Sequence, residues 1–124
     1  MQDRVVQTDG RLKHHHDLVR VYSAADAYIS ASAYEGFSIT VVEAMASGTP
    51  VIGINRAAFG EIVNGAGHLI DEPSVEGLKD ALAHVLGDAT LRTDMSARGL
   101  ERAKSFRWED NARRTLEILR EVGG

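Results

Sequence analysis

The chain has 124 residues, 44% of them hydrophobic, a formal net charge of −4 and no cysteine. That length supports one modest core rather than two, the acidic balance excludes the basic stripe of a nucleic-acid surface, and the lack of thiols excludes a disulfide framework and thiolate chemistry. No apolar run approaches the length of a membrane span and the first residues do not form a signal peptide, so the composition fits a cytoplasmic setting.

Arg4-Val5-Val6-Gln7-Thr8-Asp9-Gly10 reads as a first strand closed by a glycine turn. His14-His15-His16 reads as an exposed loop. Neighbouring side chains on a regular helix diverge by about 100°, so the three cannot converge on one ion. No cysteine or second histidine cluster supplies further ligands, and no metal is expected. Asp17 reads as the cap of a helix from Leu18 to Ala25, packed through Leu18, Val21 and Tyr22. Ala27-Tyr28-Ile29-Ser30 is a short second strand, and Ala31-Ser32-Ala33-Tyr34 leads into a loop.

The stretch from Glu35 to Ile52 organises the chain. Gly36 permits a sharp turn or close approach to a ligand. Ser38 is placed to cap a helix in which Ile39, Val42, Met45 and Ala46 recur at helical spacing and suggest a buried face. Gly48 sits where a left-handed residue ends a helix, and Pro50 forbids continuation. Val51-Ile52-Gly53-Ile54 follows as a buried strand. Strand, loop, helix and strand imply a crossover with parallel pairing, and in such sheets ligands sit beyond the carboxyl ends of the strands. A helix N-terminus there offers N–H groups and a positive dipole end to a phosphate. Glu35 before the helix and Glu43 within it can each accept a pair of hydroxyl protons. Phosphate plus vicinal hydroxyls describes a nucleotide sugar; the plainer reading of the same residues is a Glu35 that favours the dipole and a solvated Glu43.

Beyond this stretch Glu61-Ile62-Val63 reads as a short helix, and Gly65 to Asp71 as a fourth strand closed by Glu72-Pro73. His68 reads as a strand-edge residue rather than an acid or base, since nothing beside it in sequence orients its ring. Ser74-Val75-Glu76-Gly77 starts a helix with the stripe Leu78, Ala81, Leu82, Val85 and Leu86, ended by Gly87. A second helix begins near Thr90 and carries Leu91, Met95, Leu100 and Ala103, weakened by Gly99. Trp108 begins a last helix with Ala112, Leu116 and Leu119 inward and Arg113, Arg114, Glu117 and Arg120 outward. Phe106 and Trp108 read as packing residues. No repeat, low-complexity segment or linker interrupts the chain. The expected fold is α/β: a Rossmann-like three-layer half-domain with about four parallel strands and C-terminal helices. It forms one partial domain over 1–124, with 105–124 as a tail helix.

Glu35-Gly36-Phe37-Ser38 followed by Glu43-Ala44-Met45-Ala46-Ser47-Gly48-Thr49-Pro50-Val51-Ile52 resembles the E-x7-E motif of retaining glycosyltransferases with the GT-B fold, in particular their large family four. Leu18 to Ala27 resembles that family's helix and "AD" entry into the preceding strand, and Phe106-Arg107-Trp108-Glu109 its C-terminal signature. Arg56 to Val63 resembles a further family segment, with Phe59 and Gly60 in place of its usual proline neighbourhood. Ser38-Ile39-Thr40 stands where many members have Gly-Leu-Pro.

The resemblance implies a hexosyltransferase whose donor is a nucleotide diphosphate sugar. Glu43 would bind the ribose hydroxyls. Glu35 would contact hydroxyls of the transferred sugar as the catalytic residue, and the backbone around Gly36, Phe37, Ser38 and Ile39 would hold the sugar and diphosphate. The turn at Gly10, Arg11 and Leu12 would lie near the base. It implies a front-face displacement that stabilises the departing diphosphate, without cofactor, metal or protein nucleophile. A complete enzyme of this kind has two Rossmann-like domains, so the chain is expected to be the second half of the donor domain. Its partners would be the donor and an N-terminal acceptor domain, and its setting cytoplasmic, peripheral to the membrane in a full-length enzyme.

The family's diphosphate-holding Arg/Lys pair precedes the positions present here, and Arg11 and Lys13 do not match it. Positioning and charge neutralisation are then incomplete, and the chain alone is expected to be inactive in transfer. Two alternatives stand beside this reading. One is an inactive structural or interaction module that self-associates through the exposed edge of the first strand. The other is a GT-B-type epimerase, which the E-x7-E spacing and the Trp108 tail disfavour.

Overall fold

The structure, a computed structural model, describes residues 5, 7–8, 10, 12, 14–33 and 37–123. Its sheet is centred on β2 (Val51–Ile54), in which every residue is buried. β1 (Tyr28–Ile29) and β3 (His68–Ile70) flank it in parallel, Tyr28 opposite Val51 and Ile52 opposite His68. A strand covered on both faces needs a continuous apolar run, which Val-Ile-Gly-Ile supplies. Alternate residues divide between two cores. Val51 joins Tyr22, Val41, Ala44, Met45, Phe59, Ile62 and Val63 on one face. Ile52 joins Ala81, Val85 and Met95 on the other.

The helices follow from this division. α1 (His15–Ala24), α2 (Ile39–Ala46) and α3 (Ala58–Val63) supply the first core, and α4 (Val75–Gly87) the second. α5 (Ala89–Ala103) packs against both α2 and α4, and α6 (Trp108–Gly123) ends the chain. The result is the α/β, Rossmann-like three-layer arrangement expected. Helix ends carry their own chemistry. The Ser74 hydroxyl accepts from the Gly77 N–H at 3.0 Å, and Asp88 accepts from the Leu91 N–H at 2.9 Å. Gly48 takes φ +75° after α2, as the stop signal required. Arg102 on α5 donates to the Ile62 and Glu61 carbonyls, both at 2.8 Å, tying it to the last turn of α3.

Several expectations are corrected. Val5, Gln7 and Thr8 are not in a strand and Val5 is 69% exposed, while Arg4, Val6 and Asp9 lie outside the described residues. Among the described residues the sheet has three strands, not four. β-Branched residues favour a strand only where ladder partners and a buried face support them, and Val5 has no such burial. Among the described residues the sheet edges are then β1 and β3, two and three residues long. Edges that short offer little to pair with.

His15 and His16 begin α1 instead of forming a loop, and His14 is the N-cap residue, its ring stacked on His16 at 5.4 Å. Asp17 lies inside the first turn, its N–H donating to the His14 carbonyl at 3.0 Å; there its charge favours the helix dipole without capping. Val21 is exposed because Leu18 and Tyr22, four apart, take the core side of α1. Leu86 and Leu100 are likewise exposed, at the rims of their stripes. α3 starts three residues before Glu61, and the third strand covers only His68–Ile70 of the span 65–71. No residue of α6 is buried: Ala112, Leu116 and Leu119 form a stripe at helical spacing but face no core. Among the described residues no helix is long and apolar enough to cross a membrane.

Candidate functional site

β1 ends at Ile29 and α2 begins at Ile39, and in parallel sheets the edge beyond the carboxyl ends of the strands is where ligands bind. Eight residues of α2 serve two surfaces. Val41, Ala44 and Met45 are fully buried against the sheet. Ile39, Val42, Glu43 and Ala46 line a cavity of about 560 Å³. Ser105, Phe106, Arg107, Trp108, Asp110, Asn111 and Arg114 form much of the remaining wall, joined by His15 and Phe37. Phe37 and Phe106 meet edge to face at 5.8 Å, and the Arg102 guanidinium lies 4.8 Å over the Phe106 ring. The lining is thus apolar on the α2 side, with carboxylates at Glu43 and Asp110 and guanidinium groups at Arg107 and Arg114.

Glu43 is held from behind. The Tyr22 hydroxyl donates to its Oε2 at 3.2 Å. Tyr22 is itself fixed: its carbonyl accepts from the buried Thr49 hydroxyl at 2.6 Å, and its ring lies 6.1 Å from that of Tyr28. Burial above all, then the Glu43 charge and the hydrogen bond to it, push the Tyr22 phenol up to about 12. Its proton therefore stays in place to donate across the physiological range. Tyr28 holds the same helix one turn earlier, sharing a 2.9 Å hydrogen bond with the Thr40 hydroxyl, which in turn lies 3.3 Å from the Ser38 hydroxyl.

That pairing corrects the expected cap. Ser38 occupies the N-cap position with extended backbone, but its side chain makes no capping bond and turns to Thr40. The first-turn N–H groups of α2 consequently have no side-chain acceptor at Ser38. Of the residues singled out in the sequence, Phe37, Ile39 and Glu43 come together on the cavity wall, and Ser38 is buried beside them. Ile39 and Ala46, expected to be buried, are exposed on that wall instead. Gly10 takes φ +78°, and neither it nor Leu12 lines the cavity. Glu35 and Gly36, with Tyr34, Arg11 and Lys13, lie outside the described residues.

Two parts of the site escaped the sequence. The wall from Ser105 to Arg114 was visible only as a motif around Phe106 and Trp108, read as packing. Phe106 does pack against the first core, but Trp108 is 74% exposed and lines the cavity. The Tyr22–Glu43 contact joins residues 21 apart and leaves no local signal.

Residues 4–102 match the family model described as glycosyl transferases group 1. The chain is 36% identical over 104 residues to O-antigen chain mannosyltransferase B of Escherichia coli, covering 84% of this chain and 27% of that protein. It is 34% identical over 110 residues to a D-inositol 3-phosphate glycosyltransferase of Corynebacterium urealyticum, covering 86% and 26%. The chain therefore spans about a quarter of the length of these relatives. Among solved structures, sucrose-phosphate synthase from Thermosynechococcus elongatus aligns with a TM-score of 0.79 at 30% identity, over 87% of this chain and 28% of that one. The C-terminal domain of a group 1 glycosyl transferase from Francisella tularensis aligns with a TM-score of 0.66 at 28% identity, over 75% and 49%. The fold, the motif around α2 and the family match over residues 4–102 agree: the chain belongs to the group 1 glycosyl transferases, of the GT-B, family-four type.

Proposed function

We propose that the chain binds a nucleotide diphosphate sugar, as the donor-binding part of a retaining glycosyltransferase that passes a hexosyl group to an acceptor. The observation that carries this reading is Glu43: a carboxylate on a cavity wall, one turn from a helix start that Ser38 leaves uncapped. Its two oxygens suit the vicinal hydroxyls of a ribose. The N–H groups at the start of α2 suit phosphate oxygens, and Arg107 and Arg114 bring positive charge to the same cavity. Exposed Phe37 and Ile39 offer apolar surface to the uncharged part of the ligand. Glu35 and Gly36 take the roles that the family motif implies, on the transferred sugar. Gly10 and Leu12 remain near the base only as the motif implies. No cofactor or metal enters this scheme.

Calorimetric titration with a panel of nucleoside diphosphates and nucleotide sugars tests it. Wild-type chain is expected to bind at least one of them, and Glu43→Ala to weaken that binding by roughly tenfold or more, in line with losing hydrogen bonds to a charged group. A folded wild type that binds none, or a Glu43→Ala variant that binds equally well, would refute the reading.

A further inference from the structure

We infer that Tyr22 is the positioning residue for Glu43, aiming its carboxylate at the ribose of the donor. The inference rests on the donor-site reading above and adds to it a residue that no part of the E-x7-E motif contains. Glu43 sits on α2 with only its backbone fixed by the helix. A glutamate has three side-chain torsions, and without a second anchor its carboxylate samples several directions over the cavity. The structure supplies one anchor from a different element. Tyr22 Oη donates to Oε2 at 3.2 Å, and among the described residues Oε1 has no hydrogen-bond partner. The bond to Tyr22 takes one lone pair of Oε2 and fixes the carboxylate plane, leaving Oε1 and the second lone pair of Oε2 for the cavity that Glu43 lines.

The anchor is rigid. Tyr22 is 8% exposed and packs in the core with Val41, Ala44 and Met45, the inner face of the helix that carries Glu43. Its carbonyl is held by Thr49 at 2.6 Å, just beyond the end of that same helix. The hydroxyl therefore sits at a set distance from α2, and its raised pKa keeps it a donor at any physiological pH. Phenylalanine would fill the same space and leave the carboxylate free to turn. A tyrosine whose hydroxyl served packing alone would have no bearing on which hydroxyls of a ligand are recognised.

The test is a set of titrations of the chain with UDP and GDP and with their 2′,3′-dideoxy counterparts, on wild type, Tyr22→Phe, Glu43→Gln and the double variant. Tyr22→Phe is expected to weaken binding of the ribose-bearing diphosphate by roughly tenfold while leaving affinity for the dideoxy compound unchanged. In the Glu43→Gln background the same change is expected to have no effect. Tyr22→Phe with wild-type affinity for both compounds, or with equal losses for both, overturns the inference while leaving the Glu43 reading intact. No binding by wild type, or no loss in Glu43→Gln, overturns both. A measurement on wild type alone guards against a poorly folded variant. The Tyr22 hydroxyl proton, followed by NMR, should shift on saturation with the ribose-bearing diphosphate and not with the dideoxy compound. Equal shifts with the two, or none with either, would also overturn it.

Discussion

Gly53→Ala should destabilise the fold, and Phe59 is the reason. Gly53 lies in the central strand β2, opposite Leu69 of β3, on the same face as Val51. A β-carbon built there would come within 2.4 Å of both Cε1 and Cζ of the Phe59 ring. Carbon atoms pack at about 3.5–4.0 Å, so the ring would have to retreat by more than about 1 Å. It has little room, being 3% exposed among Val41, Ala44, Met45 and Val63. Overpacking of this kind costs about 1–3 kcal/mol. Removing a glycine from a strand returns about 0.5–1 kcal/mol of chain entropy. The net loss should therefore be between about 0 and 2.5 kcal/mol, centred near 1 kcal/mol, a fall in Tm of roughly 3–5 °C at the centre for a chain of this size.

Urea unfolding of a double-mutant cycle with Phe59→Leu isolates the cause, since leucine lacks the two ring atoms in the way. In that background Gly53→Ala should be neutral or mildly stabilising, giving a coupling of about 1–3 kcal/mol. An equal cost of Gly53→Ala in both backgrounds, or a gain in wild type, would refute the assignment of this glycine to the ring.

Gly99, by contrast, should be replaceable. It lies inside α5, and an added β-carbon would meet Met45 at 3.5–3.7 Å, ordinary packing distance. Gly99→Ala should then recover about 1 kcal/mol of helix propensity, seen as a higher Tm; a lower one would mean that α2 and α5 cannot accept the methyl. Tyr22 gives a pH dependence with a definite sign. Its phenol is at 10.0 unfolded and raised to about 12 in the fold, so its contribution is complete below pH 10 and lost as pH rises toward 12. That contribution is at most about 3 kcal/mol. The stability difference between wild type and Tyr22→Phe should shrink over that range in paired denaturation curves; a difference constant from pH 9 to 12 would contradict it.

The sequence carried the order of elements well because local chemistry punctuates them. Ser38, Gly48 and Pro50 bracket α2, Ser74 starts α4, and Val51 to Ile54 read as a buried strand, whereas the Asp88 cap of α5, two residues before the expected start near Thr90, came only with the structure. It failed where burial depends on partners far along the chain. Every apolar position of α2 fits one helical face or another, since six of its eight residues are Ile, Val, Ala or Met. Periodicity alone could not choose Val41, Ala44 and Met45 over Ile39, Val42 and Ala46. In α6 the pattern was right and its consequence wrong: Ala112, Leu116 and Leu119 do share a face, but amphipathic spacing does not bring a core to it. The first strand failed for the same reason, as β-branched residues do not supply their own ladder. The site divided similarly. Glu43 and the helix start were legible as a motif, whereas the wall from Ser105 to Arg114 and the hold of Tyr22 required the fold.

The two-sided use of α2 gives the site its physical logic. A helix of eight residues is too short to be stable by itself, so its position is set almost wholly by burial of Val41, Ala44 and Met45 against β2 and α5. Whatever fixes that inner face also fixes the origin from which Glu43 reaches the cavity. The remaining freedom is in the side chain, and Tyr22 removes it from within the same core. On the proposed donor-site reading, stability and recognition share residues on one face of α2 and separate on the other. Changes at Ile39 or Ala46 alter the cavity wall without touching packing, because those side chains are exposed. A change at Met45 cannot be confined to stability, since moving the inner face moves the carboxylate with it.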